Sequence, residues 1–229
     1  MSQNTEVEPF RTRLKTGISN FLQKYRTLLA SLVGAAILIT AGLALWTQVD
    51  AATKADFAAR IEKSQADYLA WAAETDAAKK EAAGKTLEAE LAKVQKEAPQ
   101  GYGLSKAWFI QGNYFVAKKQ WMDASKAFRA VFDKDKTSYL APVALLNAAV
   151  CEEEAGDAAA ALAIYGEFEK AFGTNALLLP QVYFTEGRLL ESLGKTADAG
   201  AAYKKLLEKY PESGWTKLGR DRIISLNLE

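Results

Sequence analysis

The sequence contains no histidine and one cysteine among its 229 residues. Without imidazole, the usual general base, the commonest metal ligand and the side chain that changes charge near neutral pH are all missing. A lone Cys151 cannot close an internal disulfide, and helical periodicity around it reads as a buried, inert thiol. Charge of either sign is not in excess: 29 Lys and Arg face 28 Asp and Glu, a net charge of +1 that argues against broad nucleic-acid binding. No Gly-x-Ser-x-Gly or Ser-x-x-Lys context singles out a nucleophile. Gly101 and Gly103 form a Gly-x-Gly that follows no strand pattern and lacks the third glycine of a nucleotide-binding turn. Glu152, Glu153 and Glu154 are consecutive on a helix, point about 100° apart and cannot converge on one ion. The expectation is a protein that is not an enzyme, with no cofactor and no metal site.

What is present is helical periodicity and one long uncharged run. Residues 27–49, TLLASLVGAAILITAGLALWTQV, carry no charge and have the length a helix needs to cross a hydrocarbon layer of about 30 Å. A buried core helix or a cleaved signal peptide would share this composition, but the length of the run and of its leader favours a retained signal anchor. The span contains no GxxxG pair. Arg11, Arg13, Lys15, Lys24 and Arg26 precede it, opposed by Glu6 and Glu8, whereas Asp50, Lys54 and Asp56 follow. Positive charge stays cytosolic, so residues 1–26 are read as a short basic cytoplasmic segment and the rest as extracytoplasmic, the periplasm of a bacterium. A nucleic-acid arm is the alternative for that leader.

Residues 50–100 keep helical spacing at Phe57, Ile61, Tyr68 and Trp71, then at Leu87, Leu91 and Val94. Gly84 is expected to divide this stalk or hairpin into two helices, and 99–103 to act as a hinge. A coiled-coil dimer competes, with few and alanine-rich heptads.

From residue 105 a pattern recurs. Gly187, Ala199 and Tyr203 are spaced 12 and 4 apart; Gly112, Ala124 and Phe128 repeat that spacing, as do Ala149, Ala161 and Tyr165. The copies, 105–141, 142–179 and 180–212, are separated by 37 and 38 residues. Each reads as a helical hairpin, with Pro142 and Pro180 suited to the start of the next helix and Gly194 to the position past a helix end. Glu152 at an apolar site and Ala158 at an aromatic one suggest looser packing in the second copy. Residues 213–229 read as one further amphipathic helix, a cap with Trp215, Leu218, Ile223 and Leu226 inward.

These residues resemble the tetratricopeptide repeat (TPR) family, whose repeat is about 34 residues. The resemblance implies an all-α fold: an α-solenoid of TPR-like hairpins with a C-terminal capping helix, behind an N-terminal transmembrane helix. It also implies that first helices line a concave groove that binds other proteins. The family's groove positions fall on Lys106, Phe109 and Asn113 in the first copy, Leu146, Val150 and Glu153 in the second, and Gln181, Phe184, Arg188 and Glu191 in the third. Only Asn113 and Arg188 match the polar set with which some TPR grooves clamp a carboxylate, so apolar anchors in polar surroundings are the expected mode. Phe109 and Phe184 could instead pack on neighbouring helices. The arrangement of leader, span and repeats resembles the bacterial inner-membrane family typified by YfgM, ancillary to the SecYEG translocon. That resemblance implies translocon subunits, periplasmic chaperones or exported clients as partners. A scaffold subunit of an envelope assembly, such as a flagellar motor accessory ring, is the alternative, and a homo-oligomer fits either.

Overall fold

The computed structural model describes residues 10–174 and 176–227, with side chains from residue 13. Glu6, Glu8 and the Arg11 side chain, counted above in the leader, and Asn175 lie outside the described residues. The described chain is all-helical. It divides into two units, Met1–Ala55 and Asp56–Glu229.

The first unit holds α1 (Phe10–Lys24) and the start of α2 (Arg26–Ala73), a helix long and apolar enough to cross a membrane. Large apolar side chains here, Leu32, Ile37, Leu43 and Trp46 among them, are exposed. The few hydroxyls turn back to their own helix: Thr40 Oγ1 donates to the Ala36 carbonyl at 3.0 Å, and Ser31 Oγ to that of Leu28 at 2.8 Å.

The second unit continues through α2 to α3 (Ala77–Glu97), α4 (Tyr102–Ala117), α5 (Trp121–Lys134), α6 (Ala141–Glu154), α7 (Ala158–Phe172), α8 (Leu179–Ser192), α9 (Thr196–Lys209) and α10 (Gly214–Ser225). The α2–α3 break falls at residues 74–76, not at Gly84. Glu74 Oε1 accepts the Thr75 and Asp76 N–H groups, and Asp76 caps α3 by accepting the Lys79 N–H at 2.9 Å. Gly84 lies buried inside α3, where an added Cβ would stand 2.6 Å from Tyr114 Oη and 3.1 Å from Trp71 Nε1. A packing glycine and a turn glycine look alike in sequence. Ile61, Trp71, Leu87, Leu91 and Val94 pack with Ala107, Ile110 and Tyr114 of α4, so α2 and α3 close the front of the first repeat.

The three repeat hairpins are α4–α5, α6–α7 and α8–α9. All turn in the same way: Gln120, Asp157 and Lys195 each donate N–H, at 2.9 Å, to the carbonyl five residues earlier, on Phe115, Glu152 and Leu190. This bond needs a left-handed residue just before the donor. Gly156 (φ 86°) and Gly194 (φ 71°) supply it cheaply; the first turn uses Lys119 (φ 57°). Glu152, at a site filled by Phe115 and Leu190 in the other copies, accepts at Oε1 from buried Ser125 of α5, while its Oε2 is buried without a partner among the described residues.

The capping helix turns Trp215, Ile223 and Leu226 inward as expected, but not Leu218. Thr216, Gly219 and Ile223 are buried and Trp215 and Leu226 partly so, whereas Leu218 is 46% exposed. Gly219 makes the difference: its missing side chain lets α10 settle on Leu206, Leu207 and Tyr203 of α9. Lys119→Gly should raise stability by about 1 kcal/mol, the usual cost of a left-handed side-chain-bearing residue, and Gly194→Ala should lower it comparably; urea midpoints check both.

Candidate functional site

The first helices of successive repeats share one face. α4 packs directly on α6, α6 is tied to α8 by the Glu153–Arg188 ion pair, and α8 to α10 by Glu191 with Arg222. The two carboxylates belong to one recurring device. Each sits four residues after the small residue of its repeat, Ala149 or Gly187, and accepts from the aromatic of the second helix: Tyr165 Oη donates to Glu153, and Tyr203 Oη to Glu191 Oε1 at 2.6 Å. Each glutamate then takes an arginine from the next repeat or the cap. In the first repeat the same positions hold Val116 and Phe128, so hydroxyl and carboxylate are present together or absent together. Burial, followed by the glutamate bond, pushes both tyrosine hydroxyls well above their ordinary range. The Arg222 bond, opposed by burial, holds Glu191 below the usual carboxylate range.

The expected groove residues do not form one surface. Leu146, 4% exposed, belongs to the core, because α6 is packed on by α5 and α7 and by α4. Phe109 lies edge-on to Phe128 at 5.3 Å, and Phe184 sits 5.3 Å from Trp215 of the cap; both rings are partly buried against the core. Lys106 reaches Glu62 on α2 at 2.6 Å. Glu153, Arg188 and Glu191 form the inter-repeat pairs just described, while Gln181, partly exposed, gives the Thr185 hydroxyl its carbonyl at 2.9 Å. Asn113 and Val150 do meet: with Val116, Trp121, Phe128, Asn147 and Cys151 they line a recess of about 150 Å³ between α4 and α6. The Asn113 and Asn147 amides have no hydrogen bond among the described residues, and Val150 is 39% exposed beside them. Asn147 was missed, although it is the one amide in an otherwise alanine- and leucine-rich helix. Cys151 is buried, and burial pushes its thiol up to about 12, so it contributes surface rather than reactivity.

Residues 143–174 and 181–213 match the tetratricopeptide repeat family. These two segments are similar to tetratricopeptide repeats. They correspond to the α6–α7 and α8–α9 hairpins, and the α4–α5 hairpin repeats their turn and their small-residue-to-aromatic contact. A TPR repeat-containing protein of Treponema pallidum (strain Nichols) is 33% identical over 128 residues, 56% of this chain and 53% of that protein. The chain thus matches about half the length of that relative. TPR repeats are typically non-catalytic modules that bind other proteins.

Between the last two repeats, Glu169 of α7 accepts from Lys209 Nζ at 3.0 Å and from Lys205. Burial alone would raise this carboxyl, but the bonds from Lys205, Lys209 and Tyr183 outweigh it and hold Glu169 at about 2, below an ordinary 4.5. A lowered folded-state pKa stabilises above the unfolded value and loses that contribution as pH falls. Glu186, raised by burial, opposes it and favours folding as pH falls. Urea midpoints should therefore drop from about pH 4.5 towards pH 2, and Glu169→Gln should flatten that drop; an unchanged slope would place the acid sensitivity elsewhere.

Proposed function

We propose that this chain is a membrane-anchored interaction module that holds a segment of a partner protein on the α4–α6–α8 face, outside the cytoplasm, in a YfgM-like role beside protein export. The observation that carries the reading is the recess between α4 and α6. Two side-chain amides without partners among the described residues stand beside an exposed valine, a combination that offers donors and acceptors to an extended backbone and an apolar contact to its side chain. Arg188 and Glu191, further along that face, are engaged in the inter-repeat ion pairs. The span at residues 27–49 and the basic residues before it support anchoring with the repeats on the far side of the membrane. Translocon subunits, chaperones or exported clients are the partners proposed.

One observation favours the scaffold reading as a second. Tyr139, 70% exposed and stacked on Tyr102 at 5.3 Å, and Leu177, 96% exposed, occupy equivalent places in successive inter-repeat connections. They give the repeats a second apolar surface, which an assembly subunit needs and a one-groove accessory does not. A photo-crosslinking probe at Val150 in native membranes should capture translocon subunits, chaperones or varied exported chains. Asn113→Ala with Asn147→Ala should cut that capture about tenfold, the loss of two hydrogen bonds at roughly 0.5–1.5 kcal/mol each, with helicity unchanged. Capture of one envelope component or of the chain itself, from Tyr139 as well as Val150, would move the assignment to the scaffold.

A further inference from the structure

We infer that α1 is an interfacial helix that lies in the surface of a bilayer rich in acidic lipid, rather than a passive leader. The inference rests on the reading that α2 crosses a membrane. At 3.6 residues per turn, Leu14, Ile18, Phe21 and Tyr25 fall within about 60° of one another, with Leu22 beside them. The Phe21 and Tyr25 rings meet at 4.9 Å on that stripe. Leu14, Ile18, Phe21 and Leu22 are 51–55% exposed, so no described part of the chain covers them.

The cations are placed to suit a headgroup layer. Lys15 and Arg26 border one side of the stripe, Arg13 and Lys24 the other, and the neutral Asn20 and Gln23 lie opposite. Lysine and arginine at the edge of an apolar face can bury their stems and keep their charge among the phosphates. No acidic residue occurs between residues 10 and 49, so nothing within the helix or the span competes for these cations. A partner helix could cover an apolar stripe, but it would have to meet flanking positive charge on both sides with no carboxylate from this chain. Acidic lipid supplies that charge wherever the stripe is immersed, and α2, beginning at Arg26 immediately after the Tyr25 turn, brings the helix to the bilayer surface.

The test uses the full chain in nanodiscs of phosphatidylcholine and phosphatidylglycerol, with single nitroxide labels at Ile18, Asn20, Phe21, Gln23 and Ile37. Cys151 is buried and does not compete for label. Collision with oxygen and with a water-soluble nickel chelate should place Ile18 and Phe21 roughly 5–10 Å deep, Asn20 and Gln23 in water, and Ile37 in hydrocarbon. Spin-labelled phosphatidylglycerol should associate more than phosphatidylcholine, a preference lost in the Arg13→Gln, Lys15→Gln, Lys24→Gln, Arg26→Gln variant. Ile18 and Phe21 as water-accessible as Asn20, with Ile37 still in lipid, would overturn the inference and leave the span intact. Low collision with both reagents at Ile18 and Phe21 would mean a protein covers the stripe and would also overturn it. Equal association of the two lipids would overturn the acidic-lipid assignment. Ile37 in water would remove the span and the inference together.

Discussion

An aromatic ring laid over a residue with little or no side chain sets the separation of the two helices in each repeat. A Cβ on Gly187 would stand 2.5 Å from Tyr203, and one on Gly112 would stand 2.6 Å from Phe128; Ala149 and Tyr165 hold the same positions in between. Because the ring must enter the first helix, its far edge arrives one turn further along that helix. In two repeats this edge is a hydroxyl, and the residue waiting for it is a glutamate. A buried hydroxyl and a carboxylate only 11% exposed each need the other, and the carboxylate's remaining capacity is spent on an arginine from the next element. The packing contact inside a hairpin thereby becomes the polar contact between hairpins. The alignment of α6, α8 and α10 and the occupation of Glu153, Arg188 and Glu191 descend from it, whereas α4 joins them by packing on α6 alone.

The repeat period was legible for the same reason. Small residue, small residue and aromatic at fixed offsets are a local signature of helices in contact, and they place Gly112, Ala149 and Gly187 where the structure has them. Residues whose role depends on a third helix were not legible. Gly84 reads as a break until Trp71 and Tyr114 are seen against it, and Leu218 reads as inward until Gly219 rotates α10 onto α9. Leu146 reads as groove because the offsets carried over from the TPR resemblance mark a helix face, not how many neighbours cover it. Asn147 lies on the opposite side of this limit: its unpaired amide matters only because Asn113 and Val150 come to the same recess from another repeat and another turn.

The proposed function rests on how the polar groups of the first-helix face are employed. Most charged side chains there are committed to holding repeats together, which leaves the Asn113 and Asn147 amides and Val150 as the surface with capacity to spare. A site of neutral amides and one aliphatic contact suits an extended segment gripped largely through its backbone, and so tolerates many sequences. Such tolerance is what the proposed role beside protein export would require.

Hydrogen–deuterium exchange on the full chain in nanodiscs, with and without a cross-linked partner, is the most direct measurement of where that partner sits. New protection should concentrate in α4, α6 and α8, greatest around residues 113–117 and 147–151. Protection confined to α5, α7 and α9, or to the connections around Tyr139 and Leu177, would contradict a partner seat on the first helices.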